Sequence, residues 1–327
     1  FILFNDAKWE NRKNAFMQLN NIIAAKPEEF NPIISSLFRF IKIKLKDFKE
    51  NNFNILREAF ALYETLVEKC SGFSRKYANI LIKNFSDKIG DTKLKTQLNN
   101  LFTKIYEFHS PKITTSNLLK HFTKNVKGAN ALKEFCVFLE KAIDDFEMGQ
   151  FPVKEIVDFC TFLASNANKD LRKAATGLLC CMYKYLGKPL ERLLTEIKEA
   201  TLKEINEEFA KIIVIPKEDA AKGKKALKGE AAQEEGGKTT NTNLLDSLFP
   251  RADISKKVTS QILKELAEGK ANSKKEIISK LEKILDDAQM RILPNGLNAL
   301  LTALKNNTND SNKSLVRLIL QFYLKLL

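Results

Sequence analysis

Residues 52–70 read NFNILREAFALYETLVEKC, and within them Phe60, Leu62, Tyr63, Leu66 and Val67 recur at the three- and four-residue spacing of one helical face. A polar break, NNFNILR (51–57), leads into this stripe, and the turn CSGFS (70–74) closes it. The same grammar repeats elsewhere. Phe16, Leu19, Ile22 and Ile23 form an earlier stripe, and Ile156, Phe159, Cys160 and Leu163 a later one. No stretch alternates as a half-buried strand would. The 12 glycines and 8 prolines are few and mark helix ends, as at Pro27, Gly72, Gly90, Pro111, Pro152, Gly187 and Pro189.

Working outward, the polar breaks recur about every 40 residues, the length of a two-helix HEAT-type unit. They are AKWENR (7–12), NNFNILR (51–57), GDTKLK (90–95), KNVKGA (124–129) and NANKDLR (166–172). A second set of turns, AAKPEE, CSGFS, HSPKITT, EMGQFP and LGKP, lies between them. Two turns per period imply two antiparallel helices per unit, and stacked units share a continuous core. The fold class is therefore all-α, an α-solenoid of HEAT repeats. In such a stack the five breaks fall on one narrow face, with Trp9 at one end of the row and Arg172 at the other.

The first solenoid is expected to span 1–215. Residues 216–243, rich in Lys, Glu, Ala and Gly, read as a flexible linker. Helical patterning resumes over 244–327: Ile254, Val258, Ile262 and Leu263 suggest one helix, Ile277, Ile278, Leu281 and Ile284 a second, Leu297–Leu304 a third and Leu315–Leu327 a fourth. This second solenoid breaks off mid-pattern, and the chain starts at Phe1, so a piece of something longer is expected.

The 327 residues carry 54 Lys and Arg against 40 Asp and Glu, a net charge of +14. That balance favours an acidic partner: a nucleic acid, an anionic membrane surface or an acidic protein. No membrane-length apolar run and no signal peptide are present. The five cysteines, Cys70, Cys136, Cys160, Cys180 and Cys181, have neither disulfide nor zinc spacing and read as buried free thiols. His109 and His121 lack partners at metal or triad spacing and read as surface or capping groups. Asp144-Asp145 and Asp286-Asp287 read as solvated or helix-terminal charges. No nucleophile-and-base constellation or phosphate loop occurs, so neither an enzyme, a cofactor nor a metal is expected.

The breaks themselves carry one large aromatic among amides and cations: Lys8, Trp9 and Arg12; Asn52, Phe53 and Asn54; Lys88, Asp91 and Lys93; Lys124, Asn125 and Lys127; Asn168 and Arg172. Trp9 is an interface anchor or a cap on its own helix pair. Phe53 is a contact or a staple on the following helix. The asparagines serve as contacts or as N-caps, and Arg172 as a contact or the partner of Asp170. A nucleic-acid-binding or peptide-binding helical scaffold is the alternative reading. Nucleic acid is disfavoured, because the cations lie in turns and a single Trp offers no stacking series.

These stretches resemble the TOG domain, the HEAT-repeat module of the microtubule polymerase and cytoskeleton-associated protein family. The resemblance runs from AKWENRKNA through NFNILREA, SDKIGDTKLK and KNVKGANALKEFCVFLEKAI to ASNANKDLRKAATGLLCCMYKYLGKPL, over roughly 1–213. LFPRADISKKVTSQILKEL and NALLTALKNNTNDSNKSLVRLILQF resemble the start of a following TOG domain, and the pairing is most similar to the third and fourth domains of multi-TOG proteins. The resemblance implies loops that bind the curved α/β-tubulin heterodimer and support polymerisation at the microtubule plus end. It implies a monomeric piece of a multi-TOG chain in the cytoplasm, on microtubules, spindle poles or the centrosome. Trp9 would be the anchor on β-tubulin, with Asn52–Ile55, Lys88–Lys95, Lys124 with Lys127, and Asn168 with Arg172 as successive contacts. Two departures stand out: Val126 replaces the proline usual in the fourth loop, and Ala271 stands in the second domain where Trp is usual.

Overall fold

The computed structural model describes residues 2–216, 219–220, 222, 224–229, 251–288, 292–293 and 297–326. The chain divides into two compact units, Phe1–Asn241 and Thr242–Leu327. That division falls inside the stretch read as a linker. Residues 230–243 and the start of the second patterned region, 244–250, lie outside the described residues.

Among the described residues, unit 1 has ten principal helices: α1 (Trp9–Ala25), α2 (Ile34–Lys44), α3 (Phe53–Lys69), α4 (Arg75–Phe85), α5 (Lys95–Phe108), α6 (Pro111–Asn125), α7 (Ala129–Asp145), α8 (Val153–Ala164), α9 (Lys169–Leu186) and α10 (Glu199–Phe209). Among the described residues no strand occurs, only an isolated bridge between Ala252 and Ile292. The stripes become buried faces. In α3, Ile55, Leu56, Ala59, Phe60, Leu62, Tyr63, Leu66 and Val67 are all buried. Removing a side chain the size of Phe60 from water contributes about 2–3 kcal/mol. Aromatic packing ties the layers together: Phe38 lies 4.7 Å from Tyr77 between α2 and α4, and Phe122 stacks on Phe135 at 4.0 Å between α6 and α7.

The odd-numbered helices form one layer and run parallel. Their C-terminal ends meet: Lys69 Nζ donates to Ala24 O (3.2 Å), Lys104 pairs with Glu68 (3.1 Å), and Lys184 pairs with Asp144 (3.0 Å). The even-numbered helices form the second layer, joined side by side by Asn117–Asn79 (2.8 Å) and Ser116–Glu155 (2.8 Å). The turns that lead into α1, α3, α5, α7 and α9 therefore share one edge of the slab, and the C-terminal ends of these helices share the opposite edge.

Several expectations need correction. His109 is 3% exposed and packs 6.0 Å from Phe73, so it is a core group; His121 alone is near the surface, half-buried beside Asn125. Cys70, Cys136 and Cys160 are buried, whereas Cys180 and Cys181 are only partly so. The segment 224–229, inside the stretch read as a linker, belongs to unit 1 and lies against its helix ends, where Lys225 N donates to Asp145 O and Lys228 N to Glu107 O.

Unit 2 contains α11 (Ser260–Glu268), α12 (Ala271–Asp287), α13 (Asn298–Asn306) and α14 (Lys313–Leu326) around a core of Leu266, Ile278, Leu281, Leu304, Ile319 and Phe322. The helix expected to include Ile254 begins only at Ser260. Thr259 caps it by accepting from Ile262 N, and Ile254 is a buried anchor ahead of it.

Candidate functional site

The loop edge of unit 1 is built from short connectors that brace themselves. In the first, Asp6 accepts from Lys8 N (2.8 Å) and Asn11 Nδ2 (2.9 Å). The Lys8 N–H and then the Asn11 amide hold its carboxyl below the usual carboxylate range. Arg12 reaches back to donate to Asp6 O at 3.2 Å. The fifth connector repeats the plan. Asn166 accepts from Asn168 N (2.9 Å), Asn168 accepts from Asp170 N (2.8 Å), and Arg172 Nη1 donates to Asn166 O (2.9 Å) and Ala167 O (2.7 Å). Each is an Asx-turn feeding a helix start, locked by an arginine one turn into the helix.

Trp9 is the first residue of α1 and is half-buried. Part of its surface packs on the unit and part meets solvent. A half-exposed indole, with its large apolar ring and a polar N–H, suits an interface.

The second connector has a support that the sequence reading missed. Lys46, Asp47 and Phe48 are three consecutive non-glycine residues with φ of 54°, 56° and 67°. Left-handed backbone costs such residues about 1–2 kcal/mol each. Packing offsets it: Phe48 is buried 5.3 Å from Phe85, and Asp47 N and Glu50 N donate to Lys42 O and Leu45 O. Glu50, 3% exposed, then aims one carboxylate oxygen at Asn51 N (3.0 Å) and Asn52 N (2.9 Å), and pairs through the other with Lys46 (2.9 Å). Asn52 caps α3 by accepting from Asn54 N and Ile55 N. The cap reading of Asn52 and Asn168 therefore describes their side-chain oxygens. A carboxylate immediately before two asparagines was the one signal in the sequence for Glu50.

Contacts between connectors make them a row. Lys93 sits over the Phe53 ring at 4.5 Å and Arg57 at 5.5 Å, while Arg57 Nε donates to Lys93 O (2.9 Å). Phe53 is thus clasped by two cations, neither fully exposed nor a plain staple. Asp91 accepts from Lys93 N (2.8 Å), Asn130 Nδ2 donates to Gly90 O, and Lys95 pairs with Glu134 (3.1 Å). These bonds join the second and third connectors and tie the third to the start of α7, just beyond the fourth. Parallel packing of α1 on α3 and of α9 on α7 sets the first and fifth on the same edge. Lys8, Asp91, Lys93, Lys124, Asn125, Lys127 and Asn168 are exposed there, and Arg12, Asn52, Phe53, Asn54, Lys88 and Arg172 are half-buried. Val126 is buried at 9% in extended geometry, so side-chain burial pins the fourth connector in place of a ring. Arg172 uses its guanidinium on its own loop; it is a brace before it is a contact.

The second unit is arranged differently. Its α12 starts at Ala271 with Lys270 as cap, matching Trp9 and Lys8 in α1. Lys274, at the position matching Arg12, is 12% exposed and turned to Asn307 Oδ1 (2.7 Å) and Asp310 (3.5 Å). Among the described residues, no group of three His, Cys, Asp or Glu could hold a metal ion, and no helix is long and apolar enough to cross a membrane.

Residues 3–209 match the XMAP215/Dis1/CLASP, TOG domain family. Protein MOR1 of Arabidopsis thaliana is 26% identical over 309 residues, covering 94% of this chain and 15% of the relative. This chain thus spans about 15% of the length of that relative. Among solved structures, Drosophila melanogaster Mini spindles TOG3 aligns with a TM-score of 0.58 and 21% identity, covering 70% of this chain and 96% of that one. A second, from work described as TOG-tubulin binding specificity promoting microtubule dynamics and mitotic spindle formation, aligns with a TM-score of 0.54 and 13% identity, covering 64% and 79%. Both share the fold.

Proposed function

The chain belongs to the XMAP215/Dis1/CLASP TOG-domain family, and on that premise we propose that unit 1 binds the α/β-tubulin heterodimer along its loop edge. The observation that carries this is the row of five connectors, four braced by their own hydrogen bonds and the fourth pinned by buried Val126, with an indole at one end and exposed cations along it. Rigid loops bind without first losing conformational entropy, which favours affinity. Trp9 is the apolar anchor, and Lys93, Lys124 and Lys127 meet an acidic surface. The reading is of a binding module and not an enzyme. As part of a longer multi-TOG protein, with a linker within 216–243 and a second TOG domain after it, the chain would raise the local tubulin concentration at a growing microtubule end. A place on microtubules and spindle poles follows from that activity.

Because Lys274 is tied inward and Ala271 offers no anchor, unit 2 contributes less than unit 1. The test is size-exclusion chromatography of the whole chain with purified tubulin. Wild type co-elutes, and Trp9→Ala with Lys127→Ala does not, while melting within about 4 °C of wild type. Co-elution of the double variant would remove the loop edge from the interface. Loss of binding together with a collapse in melting temperature would make Trp9 a structural cap.

A further inference from the structure

Two carboxylates sit at an unfavourable end of a helix. Asp144 and Asp145 close α7, where the backbone dipole already places partial negative charge. The sequence leaves them as solvated or helix-terminal charges; they are helix-terminal, and each pairs with a cation. Asp144 pairs with Lys184 (3.0 Å) and accepts from Tyr185 Oη (2.6 Å). Partial desolvation pushes its carboxyl up, but Tyr185, Lys184 and Lys224 together hold it below the usual range. Asp145 pairs with Lys225 Nζ at 3.0 Å.

Lys224 and Lys225 belong to the stretch whose composition promised no packing at all. Its described residues, with Ile215 just ahead of them, nevertheless meet successive helix ends at the C-terminal edge of the slab, in reverse order. Ile215 N donates to Lys184 O near the end of α9 (2.8 Å), Lys225 N to Asp145 O at the end of α7 (2.7 Å), and Lys228 N to Glu107 O at the end of α5 (2.6 Å). Lys224 Nζ donates to Ile143 O (3.1 Å), Asp144 O (2.8 Å) and Tyr185 Oη (2.9 Å), and lies 4.2 Å from the centre of the Tyr185 ring. Lys228 Nζ lies 3.8 Å from the carboxylate of Glu107. At Gly229, with φ of +54°, an added Cβ would approach Phe108 O to 3.2 Å, so the backbone is close against α5.

The register has a simple origin. Packed helices stand about 8–10 Å apart. Three extended residues cover about 10 Å. A segment crossing the helix ends therefore presents one backbone N–H to each helix every third residue, as Lys225 and Lys228 do. Helix C-termini offer only acceptors, since their last carbonyls lack intrahelical partners. A segment supplying N–H groups and ammonium groups meets every need of that edge.

We infer that the C-terminal edge of unit 1 is a recognition site for a lysine-rich segment, occupied in cis by residues 224–228. This goes beyond tubulin binding at the opposite edge. The docked segment holds its positive charge on helix ends and away from the loop row, which stays open. The attachment depends on charge, so acylation of Lys224 releases it.

Residue-resolved amide hydrogen exchange on the whole chain tests this. In wild type the amides of Lys225 and Lys228 exchange at least about tenfold more slowly than an unstructured chain. Lys224→Gln, with unchanged helical circular dichroism, loses most of that protection, as does Asp145→Lys. Combining Asp145→Lys with Lys225→Asp restores it. Unprotected amides at 225 and 228 in wild type would overturn the inference, and so would full protection in Lys224→Gln.

Discussion

Replacing Glu50 should disable the second connector without touching the core. Its carboxylate, 3% exposed, accepts from two backbone N–H groups and pairs with Lys46. Charge-assisted bonds of this kind contribute about 1.5–3 kcal/mol each. In Glu50→Ala water recovers part of that, leaving a cost of about 2–4 kcal/mol. For a domain of this size the melting temperature falls by about 5–12 °C. Glu50→Gln keeps an acceptor but loses the charge, and should cost about half as much. The pH dependence gives a second readout. Burial opposes ionisation of Glu50, yet the Asn52 N–H, Lys46 and the Asn51 N–H hold its pKa below the ordinary 4.5. The stabilisation is then complete above pH 4.5 and is lost as pH falls below it through the folded pKa. The gap between wild type and Glu50→Gln in a scanning melt should close over that range. A melting temperature for Glu50→Ala within about 1 °C of wild type at pH 7 would refute the reasoning.

Three further outcomes follow. Glu64 is pushed up to about 7, chiefly by desolvation. An acid raised on folding destabilises progressively from about pH 4.5 up to its folded pKa and by a constant amount above it, so Glu64→Gln should raise the melting temperature at pH 8, with the gain shrinking below pH 7 and gone below about 4.5. Arg172→Ala removes both bonds to the fifth connector and should cost about 1–2 kcal/mol in denaturant titration; amide exchange should accelerate at Asn168. Lys274→Ala leaves Asn307 Oδ1 without its donor and should cost unit 2 about 1–3 kcal/mol, read as a lower midpoint of the unit 2 helical transition while unit 1 melts unchanged.

The helical stripes and the forty-residue rhythm were legible because burial writes itself into spacing. Leu62, Leu66 and Val67 have to face the core, and the polar breaks have to face water. The row of loops was legible for the same reason, since stacking parallel helices puts their starts on one edge. What the sequence concealed are contacts between residues far apart in the chain. Nothing near Arg57 announces that it reaches Lys93 O, or that Lys93 covers Phe53. Three left-handed residues without a glycine among them, Lys46 to Phe48, defy local propensity because tertiary packing holds them. His109 looked like a turn residue and is core because the turn itself is buried. Lys224 to Lys228 read as unattached because composition counts the lysines but not the helix ends they meet.

The central claim is that the loop edge is the contact surface. A hydrogen-exchange footprint of this chain with and without tubulin measures it directly. Protection gained at residues 5–9, 51–54, 88–95, 124–128 and 166–169, with the C-terminal ends of α5, α7 and α9 unchanged, is the expected result. Protection confined to the opposite edge, or to the outer faces of the even-numbered helices, would contradict it.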